Sequence, residues 1–503
     1  MKVATTRRIR QVVQVVSFLF FLVLAVYSTA TLGGFFSWEL PLRFDPLAAL
    51  TTMIAQRRWL VNFLPAAVIL IATLILGRFW CGWLCPLGTL FDWFGPRKAT
   101  DKGTPSLWRG LKYGILFVTV FAALWGNLTL LVFDPLTIWM RTLAAAILPG
   151  FNWLFTQLER VLYPLAFLRT PLYAIDAALR GSWLGALQAY FGAAALTIGL
   201  LLAIMVLNLV RRRAWCRYVC PLGGILSLVG KASWLKRNVS SACTSCGACA
   251  KACRMGTITP KKAFASDSGE CILCMDCAAI CPTNAITFKL ELRLDRGWTY
   301  DPNRRQVLGA LGASLGGLAL LKIAPLRQQP DIRRLRPPRV DEEQMLSSCI
   351  RCGACLRICP TQGLQPSLSE AGLEGISTPI LVPRLGNCAY TCTACGTICP
   401  TGAIPRVSFA NKFSIPIGKA YVDQALCLPW SGRAPCIVCE EMCPVPHKAI
   451  TLVERQAVDL EGQAITLLAP VVQYDRCVGC GLCERKCPIK GEAAIRVRID
   501  PLS

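Results

Sequence analysis

The chain has 503 residues, 54% of them hydrophobic, with a mean hydropathy of +0.47 and only 17% charged residues, where an ordinary soluble chain carries about 25%. Lys and Arg number 54 against 29 Asp and Glu, a formal charge of +25, and residues 1–325 hold 34 of the basic groups but only 13 of the acidic ones. Basic groups crowding the apolar part fit cytoplasmic loops between membrane spans and exclude an ordinary nucleic-acid binder. The single histidine, His447, and the absence of any C-x-x-C-H exclude His-ligated and covalent c-type haem.

Four apolar stretches, roughly 12–33, 60–79, 110–133 and 186–210, are predicted to cross a bilayer, since ~20 residues at 1.5 Å rise cover about 30 Å of hydrocarbon. Lys2, Arg7, Arg8 and Arg10 precede the first; Arg78, Arg97, Lys98 and Lys102 follow the second; Arg211, Arg212 and Arg213 follow the fourth. Positive charge inside then puts the N-terminus and the segment after the fourth span in the cytoplasm, with Arg57 and Arg58 on the wrong side of that scheme. The mixed stretch 141–180 is predicted to be helical cover at the outer face. The spans contain a repeat: each half has an FDPL turn (Asp45, Asp134) and then a C-x3-C-P-L-G loop, Cys81/Cys85 and Cys216/Cys220. Such a repeat implies a pseudo-twofold axis along the membrane normal, with both cysteine loops meeting near it. Asp45 and Asp134 are expected as helix N-caps, with a quinol head-group pocket beside Trp38 and Trp139 as the rival reading.

From about 239 onward the cysteines fall into six groups of four. Cys243, Cys246, Cys249 and Cys253 are spaced C-x2-C-x2-C-x3-C, as are Cys271, Cys274, Cys277 and Cys281, then Cys349, Cys352, Cys355 and Cys359, and finally Cys477, Cys480, Cys483 and Cys487. Cys388, Cys392, Cys395 and Cys399 widen the first gap to three residues; Cys427, Cys436, Cys439 and Cys443 widen it to eight. Three thiolates on a tight turn hold one [4Fe–4S] cluster, and the fourth, usually followed by proline, serves the neighbouring cluster. Proline follows every fourth cysteine except Cys253, where Arg254 stands. Zinc sites pair close cysteines rather than tripling them, and adjacent triplets do not all pair as disulfides without strain. Six [4Fe–4S] clusters are therefore expected. Ligand exchange predicts one on Cys243, Cys246, Cys249 and Cys281 and another on Cys271, Cys274, Cys277 and Cys253. Among the last four groups, adjacent and nested pairings both remain open. Ala285–Ile286, Ala403–Ile404 and Ala449–Ile450 are expected to start short strands. His447 reads as a surface or potential-tuning residue.

Cys81, Cys85, Cys216 and Cys220 supply four thiolates for a further Fe–S or thiophilic metal centre; a redox dithiol pair and plain helix-end turns are the alternatives. Pro86–Gly88 and Pro221–Gly223 are expected to turn the chain back. Arg304 and Arg305 precede a short glycine-rich apolar run, as in a twin-arginine export signal; a buried or interfacial helix is the rival.

The four stretches, the two cysteine loops and the first two cysteine groups in 1–290 resemble the NapH-type membrane ferredoxins, relatives of MauN, NosR and RdxA/CcoG. Residues 303–503, through LRPPRVDEEQMLSSCIRCGACLRICP and CVGCGLCERKCP, resemble the NapG/MauM-type ferredoxins. The resemblance implies a fusion of the two: a quinol dehydrogenase component passing electrons to a periplasmic or membrane-associated reductase or cytochrome. The expected fold is an α-helical membrane domain of four spans plus a short fifth, carrying α+β bacterial-type 2[4Fe–4S] ferredoxin modules. Its parts would be 1–238 (membrane domain), 239–302 (two-cluster module), 303–326 (signal or anchor helix) and 327–503 (four-cluster domain). The expected place is the bacterial inner membrane, multi-pass, with the first module cytoplasmic and the last domain periplasmic. A maturation factor working through the C-x3-C dithiols and a membrane redox sensor are the rival functions.

Overall fold

The computed structural model describes residues 3–27, 38–96, 106–291 and 334–499, short gaps at 183, 185–187, 261–262, 339, 369 and 459–463 aside, together with Gly309, Gly312, Leu315 and Gly316, which are helical. Arg304, Arg305 and the rest of the twin-arginine-like segment lie outside the described residues. The longer helices are α1 (Val3–Tyr27), α2 (Pro46–Gln56), α3 (Leu64–Leu76), α4 (Pro86–Phe94), α5 (Ser106–Leu124), α6 (Pro135–Thr142), α7 (Leu148–Leu162), α8 (Arg169–Ser182), α9 (Ala194–Val210) and α10 (Pro221–Lys231). The strands are β1 (Leu235–Val239), β2 (Ile258–Thr259), β3 (Ala265–Ser266), β4 (Ile286–Leu290), β5 (Leu364–Pro366), β6 (Pro379–Leu381), β7 (Lys419–Val422), β8 (Ile450–Val458), β9 (Ala464–Val472) and β10 (Ile495–Arg498). They form antiparallel pairs only: β1–β4, β2–β3, β5–β6, β7–β10 and β8–β9.

The expectation of four spans, and of a multi-pass membrane protein, is corrected here. Among the described residues one helical stretch, Thr6–Ala25, is long and apolar enough to cross a bilayer; Val61–Leu76 and Ala194–Val210 are shorter. At 1.5 Å per residue the 13 residues of α3 and 17 of α9 reach only about 20 and 26 Å. Gly77, at φ +81°, stops α3, a conformation glycine adopts without steric cost. The 110–133 stretch breaks at Gly126, φ +72°, and its helix α5 turns the buried Lys112 inward. A hydropathy window sees none of this.

The chain divides into two compact units: 1–27, 34–143 and 195–322 in the first, and 28–33, 144–194 and 323–503 in the second. In the first, α1 carries an inward polar seam, Arg10, Gln14 and Ser17, all buried, while Val12, Val16, Leu19 and Val23 face outward. The outward faces of α3 and α9 are likewise apolar (Val68, Ile71; Leu202, Val206). Such surface marks contact with lipid or another protein. The two-cluster module of this unit starts at β1, whose register runs from Leu235↔Leu290 to Val239↔Ile286. In the second unit, Arg180 of α8 bonds Glu159 of α7 at 2.8 Å, and the core gathers Leu356, Leu364, Leu381, Ile450 and Ile495 around cysteine sulfurs. Ile286 and Ile450 start strands; Ile404 does not, and its N–H instead donates to Cys399 Sγ at 3.5 Å.

Candidate iron–sulfur sites

In the first unit the cysteines of the two ferredoxin groups exchange partners. Cys243, Cys246, Cys249 and Cys281 line one cradle (site A), and Cys253, Cys271, Cys274 and Cys277 line another (site B). Arg237 of β1 borders both. Its Nη1 donates to Phe264 O at 2.7 Å, while its Nε and Nη2 are buried without a hydrogen-bond partner. Donors left in this way beside two thiol cradles fit an anionic group in each.

In the second unit the open question of pairing resolves to adjacent groups. Cys349, Cys352, Cys355 and Cys399 line site D. Cys388, Cys392 and Cys395 gather with Cys359 as site E. Cys427, Cys436 and Cys439 gather with Cys487 as site F, and Cys477, Cys480 and Cys483 with Cys443 as site G. The spatial order is not the sequence order. Cys355 of D lies near Cys395 of E, the Cys388 N–H of E donates to Cys480 O of G at 2.8 Å, and Cys483 of G lies near Cys439 of F. The sites thus run D–E–G–F. Backbone N–H groups also reach thiols: Ala420 to Cys477 Sγ at 3.3 Å and Ala449 to Cys443 Sγ at 3.3 Å. Bonds of this kind stabilise the charged thiolate. His447 is exposed at the surface, and its carbonyl accepts from Arg476 at 3.2 Å.

The two C-x3-C loops converge as site C: Cys81, Cys85, Cys216 and Cys220 are each 4–6% exposed and close enough for their charges to act on one another. Pro86 and Pro221 do not turn the chain back. They occupy the first turn of α4 and α10, where a missing N–H costs nothing, so that Cys85 and Cys220 become N-caps. Cys220 Sγ accepts from the Gly223 N–H at 3.2 Å; a helix N-terminus favours a thiolate there. Burial works the other way and, against the pull of Arg213 and Arg78, pushes the Cys216 thiol up to about 11.

Residues the sequence reading treated only as topological charge complete site C. Arg78 and Arg213 each stand three positions before the first cysteine of their loop, and each reaches across to the other loop. Arg213 Nη1 donates to Cys81 O at 2.7 Å and its Nη2 to Gly88 O at 2.9 Å; Arg78 Nη2 donates to Cys216 O at 3.4 Å. A Cβ at Gly223 would stand 2.8 Å from Arg78 Nη2, so a larger residue there would displace the guanidinium. Trp80 and Trp215, one residue before the first cysteine of each loop, are buried with indole N–H groups lacking a partner, as is Arg78 Nε. Unmet donors around four buried thiols fit a cluster bearing negative charge. Among the described residues no three His, Cys, Asp or Glu side chains converge closely enough for one metal ion, which in a zinc site would bring thiolates to about 3.8 Å of each other.

Site C sits directly on site B. Gly82, between Cys81 and Cys85, packs so tightly that a Cβ would fall 2.2 Å from Ile272 O, between Cys271 and Cys274, and Trp83 Nε1 donates to Leu273 O at 3.1 Å. Glu270, just ahead of Cys271, is buried and accepts from Arg78 Nη1 at 2.9 Å, Tyr113 at 3.0 Å, Ser227 at 3.1 Å and Lys112. Burial alone would raise its carboxyl, but Arg78 and Lys112 outweigh that and hold it at about 2. Asp45 and Asp134 do cap: Asp45 Oδ1 accepts from Leu47 N at 2.8 Å and Ala48 N at 3.2 Å, Asp134 Oδ2 from Leu136 N and Thr137 N at 2.9 Å. The two carboxyls are fully buried within reach of each other, and burial raises both.

Comparison with known proteins agrees with the cysteine chemistry. The model of a 4Fe-4S binding domain matches residues 59–102 and 193–241, which hold the site C loops; that of a 4Fe-4S dicluster domain matches 242–285 and 348–403; and a further 4Fe-4S binding domain matches 470–490. The methylamine utilization ferredoxin-type protein MauM of Methylorubrum extorquens is 37% identical over 206 residues, 39% of this chain and 89% of that protein. The ferredoxin-type protein NapG of Escherichia coli is 36% identical over 208 residues, 40% of this chain and 86% of its own length. The putative electron transport protein YccM of Escherichia coli is 24% identical over 232 residues, 44% of this chain and 54% of that protein. No solved structure matches. The chain is an iron–sulfur electron-transfer protein with multiple [4Fe–4S] clusters, and it belongs to the MauM/NapG family of ferredoxin-type proteins.

Proposed function

We propose that the first unit takes electrons from a quinol at site C and hands them through site B to site A, and that the second unit carries electrons along D–E–G–F to a partner reductase or cytochrome. When bound, a [4Fe–4S] group supplies a one-electron carrier. This reading counts six such groups on sites A, B, D, E, F and G, and a seventh centre on Cys81, Cys85, Cys216 and Cys220. It also takes residues 1–290 as the NapH-like part of a fusion, in keeping with the domain matches on both C-x3-C loops. The observation that carries it is the seating of Gly82 and Trp83 on the Cys271–Cys274 loop, which brings the backbone of one thiol set into direct contact with that of the other. The apolar outward faces of α1, α3 and α9 fit a lipid-soluble donor. A dithiol-exchange role for the C-x3-C loops needs thiols open to a partner, whereas all four are buried.

The test is iron and sulfide content followed by quinol-driven bleaching of the Fe–S absorbance in the full chain. We expect about 24 iron atoms from six four-iron groups and about 28 with site C filled. Cys→Ser at Cys81, Cys85, Cys216 or Cys220 should abolish the bleaching of A and B while leaving their iron in place. Saturation near 8 iron, or wild-type bleaching in all four variants, would overturn the proposal.

A further inference from the structure

Five of the six ferredoxin-type groups place proline after the fourth cysteine; after Cys253 stands Arg254. The structure gives that exception a task. Arg254 Nη1 lies 2.8 Å from Asp92 Oδ1 on α4, and its Nε donates to Asp276 Oδ2 beside Cys277. Asp92, buried, also takes a two-pronged contact from Arg213, Nε at 2.9 Å and Nη2 at 2.8 Å, with further bonds from Arg10 at 3.1 Å and Gln14 at 2.9 Å. Arg213 Nη1 ends the path on the carbonyl of Cys81. A continuous series of charge-assisted bonds therefore joins the neighbour of a site B thiol, Cys253, to the backbone of a site C thiol.

The other copy of the repeat does the same. Glu270, the neighbour of Cys271 in site B, bonds Arg78, whose second nitrogen reaches the carbonyl of Cys216 in site C. Ordinary docking of a small module onto helices needs only apolar contact, and burying charges for that purpose gains little. Here two charge paths, the one through Glu270 and Arg78 buried and the one through Arg254 half-buried at its outer end, start next to site B thiols and end on one cysteine of each site C loop.

We propose that Arg254–Asp92–Arg213 and Glu270–Arg78 are positioning residues forming a two-sided clamp that fixes the separation of sites B and C and thereby sets the rate of electron passage between them. The inference rests on the reading of site C as a redox centre. One electron passes per event, oxidising the group at C and reducing the group at B, with no bond made or broken; a hydroquinone donor releases its two electrons in two such passages and its two protons to solvent.

The test compares the full-length, iron-loaded wild type with Arg254→Gln and Arg254→Lys. Three quantities are read: iron content, the magnetic interaction between reduced B and C in low-temperature EPR, and the single-turnover rate of B reduction by a hydroquinone. Arg254→Gln should keep its iron, lose the line broadening due to the neighbouring spin, and slow B reduction by about tenfold or more, as small misplacements of reacting groups do. Arg254→Lys keeps the charge but not the planar fork that spans two carboxylates, so it should recover the rate only in part. Should Arg254→Gln lose iron, Asp92→Asn, which leaves Arg254 its bond to Asp276, takes its place with the same expected readings. Unchanged line shape and rate in an iron-replete variant overturn the clamp alone. A wild type showing no interaction between B and C overturns the relay reading itself, and the clamp with it.

Discussion

Replacing Glu270 by glutamine should be the most damaging isosteric change in the first unit. Arg78 and Lys112 are fully buried and Glu270 is 4% exposed, so the three make a water-excluded cluster of net charge +1. Glutamine keeps the shape but leaves two cations facing each other, and breaking a buried pair by removing one partner costs about 3–5 kcal/mol. Arg78→Met acts on the other side of the balance: Glu270 keeps Lys112, so no uncompensated charge is left in the group, and the cost should be that of the lost hydrogen bonds, about 1.5 kcal/mol. The assay is urea unfolding of the iron-loaded protein, followed by loss of Fe–S absorbance in the first unit. With m of about 2–3 kcal/mol/M, Glu270→Gln should lower the midpoint by about 1–2.5 M and Arg78→Met by about 0.75 M or less. Equal shifts for the two substitutions would refute the charge accounting, because loss of shape or hydrogen bonds alone makes no such distinction.

The carboxyl of Glu270 lies below its ordinary value of 4.5, at about 2. Its contribution to stability is therefore complete above about pH 4.5 and disappears as pH falls toward 2; urea midpoints followed by tryptophan fluorescence should show that slope in the wild type and lose that component in Glu270→Gln. Gly82→Ala places a methyl against Ile272 O and should cost about 1–3 kcal/mol by overpacking, with slower reduction of site B by hydroquinone; an unchanged rate would show that the seating of the loop is not what couples the sites. Asp45→Ala loses a cap and should cost about 1–2 kcal/mol, whereas Asp45→Asn keeps an acceptor and should cost only a few tenths; equal losses would mean that the charge, not the cap, is what the helix needs.

The sequence made the cysteine architecture legible because its geometry is local. Three thiols on one turn and a fourth four residues on need no knowledge of the rest of the chain, and the exchange between Cys253 and Cys281 follows from the same spacing. The repeat of FDPL and C-x3-C-P-L-G likewise identified the paired caps Asp45 and Asp134 and the meeting of two loops. What hydropathy misreads are the charges in and beside apolar stretches. Arg10, Arg78 and Arg213 read as flanks of spans and Lys112 falls inside one, but their countercharges, Asp92 and Glu270, lie some 80 to 190 residues away, beyond the reach of any window. One further signal lies in the sequence: an arginine and a tryptophan stand at the same offsets before both C-x3-C loops. The pairing of the last four groups was not legible, since it depends on which turns share a core and not on spacing.

The order D–E–G–F has a consequence for how this polypeptide tolerates shortening. The group nearest the C-terminus, Cys477 to Cys487, supplies three thiols to an interior station and one to the station at the far end, while the far end itself is built mainly from the preceding group with its eight-residue gap. A chain cut before Cys477 would therefore lack a middle link and also leave the last one with three thiols. In electrical language, such a truncation opens the circuit where a tandem array would merely become shorter. Insertions and exchanges between relatives should accordingly respect the whole of 334–499 as one piece.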